Sequence, residues 1–383
     1  MTNRPQSDKP GRERQRGFSL TELMIALTLG LLIMTGLTTI FVKNSVTRGE
    51  IERSNRQLES GRYAMSLLTE DLRMAGFIAT FDPYELIIYP NSPPLGADTS
   101  VTPAIAGMSS LPDPCDASVA NLNRSFFFHV QGYDNPTTVP SCVSDARPGS
   151  DILVIRRVSS CVAGPTLEAG CDAVISGAPY FQSSNCYQAT ELAKNSGGAA
   201  AAKDYQAHFA LDTNTSSALT RHALNCTAIA DYRRFLTHIY FVANNNVGTD
   251  GIPTLKRAEL GANGFSIVPL VDGIETLQFE YGVDKDGDGK IDDYTADPNA
   301  YNACAGAACI GNWLRTYAVK VNLLARNIEA SPSHTDAKQY TLGLKADGTP
   351  NLFPASGTFA DAYKRHAYNA AVRLDNPSGR RSP

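Results

Sequence analysis

The chain opens polar, turns apolar for one long stretch, and then alternates between polar and apolar positions to its end. Residues 18–42, FSLTELMIALTLGLLIMTGLTTIFV, form the apolar stretch, with no proline and a single charge, Glu22. A helix of that length reaches about 37 Å, enough for a tilted crossing of a hydrocarbon layer of about 30 Å. Beyond Val42, Ile51, Leu58, Met65 and Leu72 recur every seven residues, with Leu68 and Ala75 three after the last two. This spacing predicts an apolar stripe on a helix with a charged back, and Gly76 is placed to cap it. One helix from Phe18 to Ala75 follows, apolar all round in its first half and amphipathic in its second.

The rest of the chain reads as strands and loops. Residues 90–120 are rich in Pro, Ser, Gly and Ala and predict loop. Candidate strands are 125–130, 151–158, 235–243, 276–283 and 317–324. Two alternate cleanly. Leu277, Phe279, Tyr281 and Val283 share one face, opposite Thr276, Gln278 and Glu280; Tyr317, Val319, Val321 and Leu323 oppose Lys320 and Asn322. A period of two with polar outer positions predicts an antiparallel sheet buried on one side, and the stripe of the long helix is the surface to bury it against. Residues 195–203 are a low-complexity loop or short helix, and 380–383 a frayed tail. No internal repeat is visible.

Charge orients the apolar helix. The leader before it carries Arg4, Lys9, Arg12, Arg14 and Arg16 against Asp8 and Glu13, which predicts a cytoplasmic N-terminus and a translocated remainder. No small-residue cleavage site follows Val42, so the helix is expected to stay attached. The formal net charge of −4 from 34 basic and 38 acidic residues becomes −7 once the leader's five basic and two acidic residues are set aside. An acidic exported chain is a poor partner for nucleic acid, and none is expected.

All eight cysteines, at 115, 142, 161, 171, 186, 226, 304 and 309, follow the apolar helix. An even count in an exported domain reads as disulfides, and no C-x-x-C pair suggests a metal thiolate site. The sequence alone allows 105 pairings. Pairing of nearest neighbours is the working expectation: Cys115–Cys142, Cys161–Cys171, Cys186–Cys226 and Cys304–Cys309, the last favoured by its short spacer.

One loop carries candidate chemistry. Asp284, Asp286, Asp288, Gly289, Lys290, Asp292 and Asp293 follow the pattern D-x-D-x-D-G-x-I-x-D. Alternate carboxylates can converge on one concavity, a glycine makes the sharp turn and the Lys290 carbonyl can add a ligand, which is the logic of an EF-hand-type Ca²⁺ loop. The twelfth position is Thr295 where such a loop has a bidentate Glu, so Asp292, Asp293 or Asp297 must compensate. The alternative is a solvated acidic turn. Catalytic motifs are absent: the six His are scattered, with no H-E-x-x-H, G-x-S-x-G or Walker loop.

Gly17-Phe18-Ser19-Leu20-Thr21-Glu22 ahead of the apolar run resembles the class III signal of type IV prepilins and pseudopilins. The resemblance implies cleavage after Gly17 by a prepilin peptidase and N-methylation of Phe18. It also implies an assembly role for Glu22, which would attract the N-terminal amine of a neighbouring subunit. Residues 270–294, LVDGIETLQFEYGVDKDGDGKIDDY, and 69–77, TEDLRMAGF, are similar to segments of PilW-type minor pilins. The implied fold is α+β and pilin-like, a long helix packed on an antiparallel sheet domain with disulfide-bonded insertions. Its parts are a leader (1–17), a membrane or filament-core half-helix (18–42), an amphipathic half-helix (43–76) and a periplasmic domain (77–383). The implied function is that of a minor pilin at or near the tip of a type IV pilus. Such a protein passes from the inner membrane to the extracellular filament and helps to prime assembly. Its implied partners are other minor pilins, the major pilin and a calcium-dependent tip adhesin. Two alternatives stay open: a minor pseudopilin of a type II secretion system, and a membrane-anchored, calcium-dependent binding protein that never polymerises.

Overall fold

A computed structural model describes residues 17–81, 108–186, 188, 190–191, 208–332 and 334–379. The leader before Gly17, the low-complexity stretch 195–203 and the tail 380–383 lie outside the described residues, as does most of the loop expected over 90–120. Helix α1 runs Leu20–Met74, within two residues of the expected span. Contacts divide the chain into two units, residues 1–52 and 53–383.

In the first unit the apolar side chains of α1 point outward, and it is the one helix, among the described residues, long and apolar enough to cross a membrane. Its hydroxyls are satisfied locally. Thr28, Thr35, Thr38 and Thr39 each donate to a carbonyl one turn back, at 3.0, 2.7, 2.7 and 2.8 Å. Such bonds let threonine sit in an apolar medium without an unpaired polar group.

The second unit begins at Arg53, so the polar residues just after Val42 belong with the apolar half-helix. The buried stripe of α1 starts at Gln57 and continues through Gly61, Ala64, Met65, Leu68, Asp71 and Leu72. Ile51, the first member of the sevenfold series, is exposed. Gly76 takes φ +69°, the left-handed conformation that a helix C-cap requires, and its N–H donates to Arg156 O at 2.9 Å.

Two antiparallel sheets receive this stripe. The larger joins β1 (Val130–Tyr133), β2 (Ile152–Val158), β5 (Tyr232–Ala243), β3 (Tyr180–Ser183) and β4 (Phe209–Asp212) in that order. From β5 it also branches to β6 (Thr254–Gly261) and β7 (Gly264–Asp272). The smaller has the order β13 (Arg365–Arg373), β10 (Thr316–Arg326), β8 (Ile274–Val283), β9 (Asp293–Thr295). One core contains Ala64, Met65, Leu68 and Leu72 of α1, Leu153, Ile155, Tyr240 and Val242 of the larger sheet, and Leu277, Phe279, Tyr281, Val319, Val321 and Leu323 of the smaller. The architecture is α+β, with the amphipathic half-helix buried against sheet as the periodicity predicts.

Two expectations need correction. Residues 125–130 are not a strand. Ser118 caps a short helix, α2 (Val119–Ser125), by accepting from Asn121 N at 3.3 Å, and β1 starts only at Val130. Phe126 and Phe128, which looked like strand positions, fill separate hydrophobic clusters from the turn between them. Nor is the smaller sheet open on its polar face: every residue of β8 is buried. A hairpin of β11 (Tyr340–Leu344) and β12 (Pro350–Phe353) packs there, and Asn351 Nδ2 donates to Gln278 Oε1 at 2.6 Å. The polar outer residues are therefore hydrogen-bonded rather than solvated, as burial demands.

Four disulfides join Cys115–Cys142, Cys161–Cys171, Cys186–Cys226 and Cys304–Cys309. The last lies at the start of helix α3 (Ala307–Leu314), which carries the fully buried Trp313.

Candidate assembly terminus and acidic loop

At the N-terminal end, Phe18 is 89% exposed. Among the described residues, nothing stands within 4 Å of the position that a Cβ at residue 17 would take. Glu22 is held locally. Its Oε2 accepts the Ser19 N–H at 3.1 Å, the return half of a capping box with Ser19 at the helix start. The acid inside the apolar run thus closes the first turn of the helix, a contact that the spacing Ser19-x-x-Glu22 carried in the sequence.

The acidic loop leaves β8 at Asp284 and returns as β9. Asp284 is fully buried; its two carboxylate oxygens accept Gly287 N at 2.6 Å and Gly289 N at 2.9 Å. Both glycines have positive φ, +84° and +83°, which brings their N–H groups round to that carboxylate. Carboxylate oxygens of Asp284, Asp286 and Asp292 lie within 4.8 Å of one another. Three hard oxygen donors at that spacing suit a divalent cation of the Ca²⁺ type. Asp288 and Asp293 stand outside the group. Asp288 accepts Lys290 Nζ at 2.7 Å and Lys290 N at 2.8 Å, bonds that pull its pKa down and push that of the Lys290 ammonium up. Asp293 opens β9, paired with Val283, and its carboxylate accepts Tyr294 N at 2.8 Å. Thr295, at the twelfth position, bonds Asp297 O at 3.2 Å.

Two buried charge clusters escaped sequence reasoning because each draws partners from distant segments. Asp71 of α1 accepts Arg157 Nε at 2.8 Å, Tyr240 OH at 2.9 Å and a hydrogen bond from His238 Nδ1 at 2.6 Å. Burial works against its charge. The hydrogen bond and charge of His238, then those of Arg157, outweigh burial and hold its pKa well below the usual carboxylate range. This clasp ties α1 to β2 and β5. Arg365 forms the other cluster, bonded to Glu275, to Asp336 Oδ2 at 3.1 Å and to Asp361 Oδ1 at 2.7 Å, while Arg147 adds a bond to Glu275 at 3.3 Å. It joins β13 to β8 and to the loop before β11.

Comparison with known proteins agrees with this organisation at both ends. Residues 239–376 match the family described as type IV pilus-assembly protein W, PilW, and residues 12–38 match the prokaryotic N-terminal methylation motif. No curated protein matches the chain. Among solved structures, a type IV-like pilin from Thermus thermophilus is similar over 38% of this chain and 70% of its own, at 14% identity and a TM-score of 0.21, too loose an overlap to equate individual elements. Both acidic-loop strands and the Arg365 cluster except Arg147 fall inside the PilW match, and Gly17, Phe18 and Glu22 fall inside the methylation motif. The chain is thus similar to the PilW family over residues 239–376 and carries a prepilin-type methylation motif over residues 12–38, on a disulfide-bonded α+β fold.

Proposed function

We propose that this protein is a minor pilin of a type IV pilus, incorporated at or near the filament tip, where it primes assembly. The observation that carries the reading is one helix, α1, that combines two properties. Its N-terminal half is apolar all round, opens on a methylation motif and contains a single acid. Its C-terminal half is clasped into the folded domain through Asp71. A polymerising subunit needs this combination: a lipid-compatible segment that can exchange membrane for filament core, in one chain with a folded head. Prepilin peptidase cuts after Gly17 and methylates Phe18, and Glu22 exchanges its Ser19 contact for the amine of a neighbour's Phe18. A buried carboxylate is stabilised in lipid only when a cation meets it. Before extraction the chain sits in the inner membrane with the head in the periplasm. Other minor pilins, the major pilin and a calcium-dependent tip adhesin are its proposed partners, and its role is structural rather than catalytic.

Within the head, Asp284, Asp286 and Asp292 hold one Ca²⁺, which removes the repulsion among carboxylates gathered within 4.8 Å. The ion would fasten the β8–β9 connection at one end of the smaller sheet.

The test is the mass of the N-terminal peptide of the mature chain, with detection of the chain in sheared filaments. The reading expects a peptide that starts at methylated Phe18 and a chain that co-purifies with pili. A mature chain that still carries its leader overturns the prepilin reading. Correct processing without recovery in filaments favours a non-polymerising anchor, and recovery only in secretion pseudopili favours a type II secretion pseudopilin.

A further inference from the structure

Among the described residues strand β13 pairs with β10 alone, in register over nine residue pairs from Ala318↔Arg373 to Arg326↔Arg365 without a bulge. The flanking bonds settle which backbone groups face β10. Leu374 N donates to Tyr317 O at 2.8 Å and Asn327 N to Lys364 O at 3.1 Å, both extensions of this register through even-numbered residues. In an antiparallel ladder the bonded positions alternate, so the N–H and C=O of Ala367, Asn369 and Ala371 point away from β10. All three residues are exposed, and among the described residues nothing bonds to those groups.

Long, regular, unpaired edges are templates for another strand, and folds normally blunt them with brevity, proline, bulges or lysine. The other edges of the two larger sheets are blunted. β9 has three residues, and β1 and β4 have four each. β7 carries Pro269 and pairs through a register shift. β13 spans nine residues, RHAYNAAVR, with alanine or asparagine at each central outward position.

Charge beside the edge describes the occupant. Tyr368 OH donates to Leu58 O of α1 at 3.3 Å, and Arg62 stands one helical turn further on. Asn376, just past β13, bonds Arg73 O at 3.1 Å. Arg62 and Arg73 of α1 and His366, which shares the face of Tyr368, are exposed. The acids of the same helical stretch, Glu59 and Glu70, fall about 60° further round at 3.6 residues per turn. A second copy fits poorly, because antiparallel pairing of two β13 edges brings the exposed Arg62 and Arg73 flanks of both copies to the same side of one continuous sheet, and like charges facing one another destabilise the pairing.

We propose that the outward edge of β13 is a strand-addition site for a different pilin-type subunit, whose incoming strand turns acidic side chains toward Arg62 and Arg73. Main-chain bonds supply affinity in such additions, and side chains supply selectivity. The proposal rests on the pilin reading above.

The experiment uses the full-length chain in cells, with a photo-crosslinking phenylalanine analogue in place of Ala371, and separately Ala371→Pro. Proline at 371 removes an outward N–H and leaves each bond to β10 in place. The expected results are a crosslink to another pilin-type subunit, and incorporation of Ala371→Pro into filaments lowered about tenfold, the effect of one lost bond plus the ring's obstruction. Buried Trp313 should keep its native fluorescence in that variant. Arg62→Glu, which touches no ladder bond, is expected to lower incorporation similarly and serves if the proline variant misfolds. Wild-type incorporation of a folded Ala371→Pro chain, wild-type incorporation of Arg62→Glu, no crosslink from position 371, or a crosslink only to a second copy would each overturn the proposal while the pilin reading stands. Absence of the unmodified chain from filaments would overturn the pilin reading and this proposal with it.

Discussion

Asp71 is where the link between helix and head is most sensitive. Its side chain is 6% exposed, and it faces Arg157 and His238 across bonds of 2.8 and 2.6 Å. Asp71→Ala leaves three partners, Arg157, His238 and Tyr240, without their acceptor, and removal of one member of a buried pair costs about 3–5 kcal/mol. Asp71→Asn keeps the shape and one acceptor oxygen and isolates the charge. Because the folded-state pKa is depressed, the charge stabilises the fold above the ordinary carboxylate value of 3.8, and that stability is lost as pH falls toward the folded pKa. From pH 7 to about 5 the Asp71 carboxyl stays ionised in both states and itself adds no slope to the difference between wild type and Asp71→Asn. The difference should then shrink by about 1.4 kcal/mol per pH unit below the unfolded value. Other carboxylates titrate in both chains and cancel in the difference when they are distant. The assay is denaturant unfolding of the full chain in detergent, followed by the fluorescence of Trp313, the single tryptophan, fully buried beside Tyr281. A cost below 1 kcal/mol for Asp71→Ala at pH 7, or a wild-type–Asn difference that persists unchanged at pH 2.5, would refute the reasoning.

Three further outcomes follow from the geometry. Gly61 lies mid-helix, where alanine ordinarily gains about 1 kcal/mol, yet an added Cβ would stand 2.2 Å from Tyr368 Cε2. Gly61→Ala should then lose stability, by about 1–3 kcal/mol from overpacking, and Tyr368→Ala should relieve the clash in the double variant; chemical unfolding reads both, and a stabilised Gly61→Ala defeats the packing argument. For the acidic loop, Ca²⁺ at tenfold excess over its Kd should stabilise the fold by about 1.4 kcal/mol, seen as a rise in Tm over chelator that Asp286→Ala abolishes; identical melting in both buffers, with no heat of Ca²⁺ binding, returns the loop to an acidic turn. Glu22→Gln retains an oxygen for the Ser19 N–H but no charge, so processing should be normal and filament incorporation strongly reduced; normal incorporation reduces Glu22 to a helix cap.

Local pattern was enough for whatever depends on local pattern. The apolar run with its one acid, the stripe from Leu58 to Ala75 and the alternation in β8 and β10 are each set by neighbours within one element, so periodicity reveals them. The glycines and aspartates of the loop are likewise close in sequence, and the convergence of Asp284, Asp286 and Asp292 follows from the turn they share. The ambiguity lay in runs without period. The stretch SFFFHV reads as strand by composition, yet its phenylalanines fill core from a helix end and a turn, because the Ser118 cap had already begun α2. β13 was overlooked for the opposite reason: alanine, asparagine and arginine at its outer positions carry no alternation, and only β10 beside it makes it a strand. Tertiary structure alone decided that Asp71 is a buried acid, that β8 is covered on both faces, and that Arg365 meets Glu275 and Asp336. Each of these depends on a partner tens or hundreds of residues away. A charge is worth burying only where such partners converge, and no local pattern records where they will be.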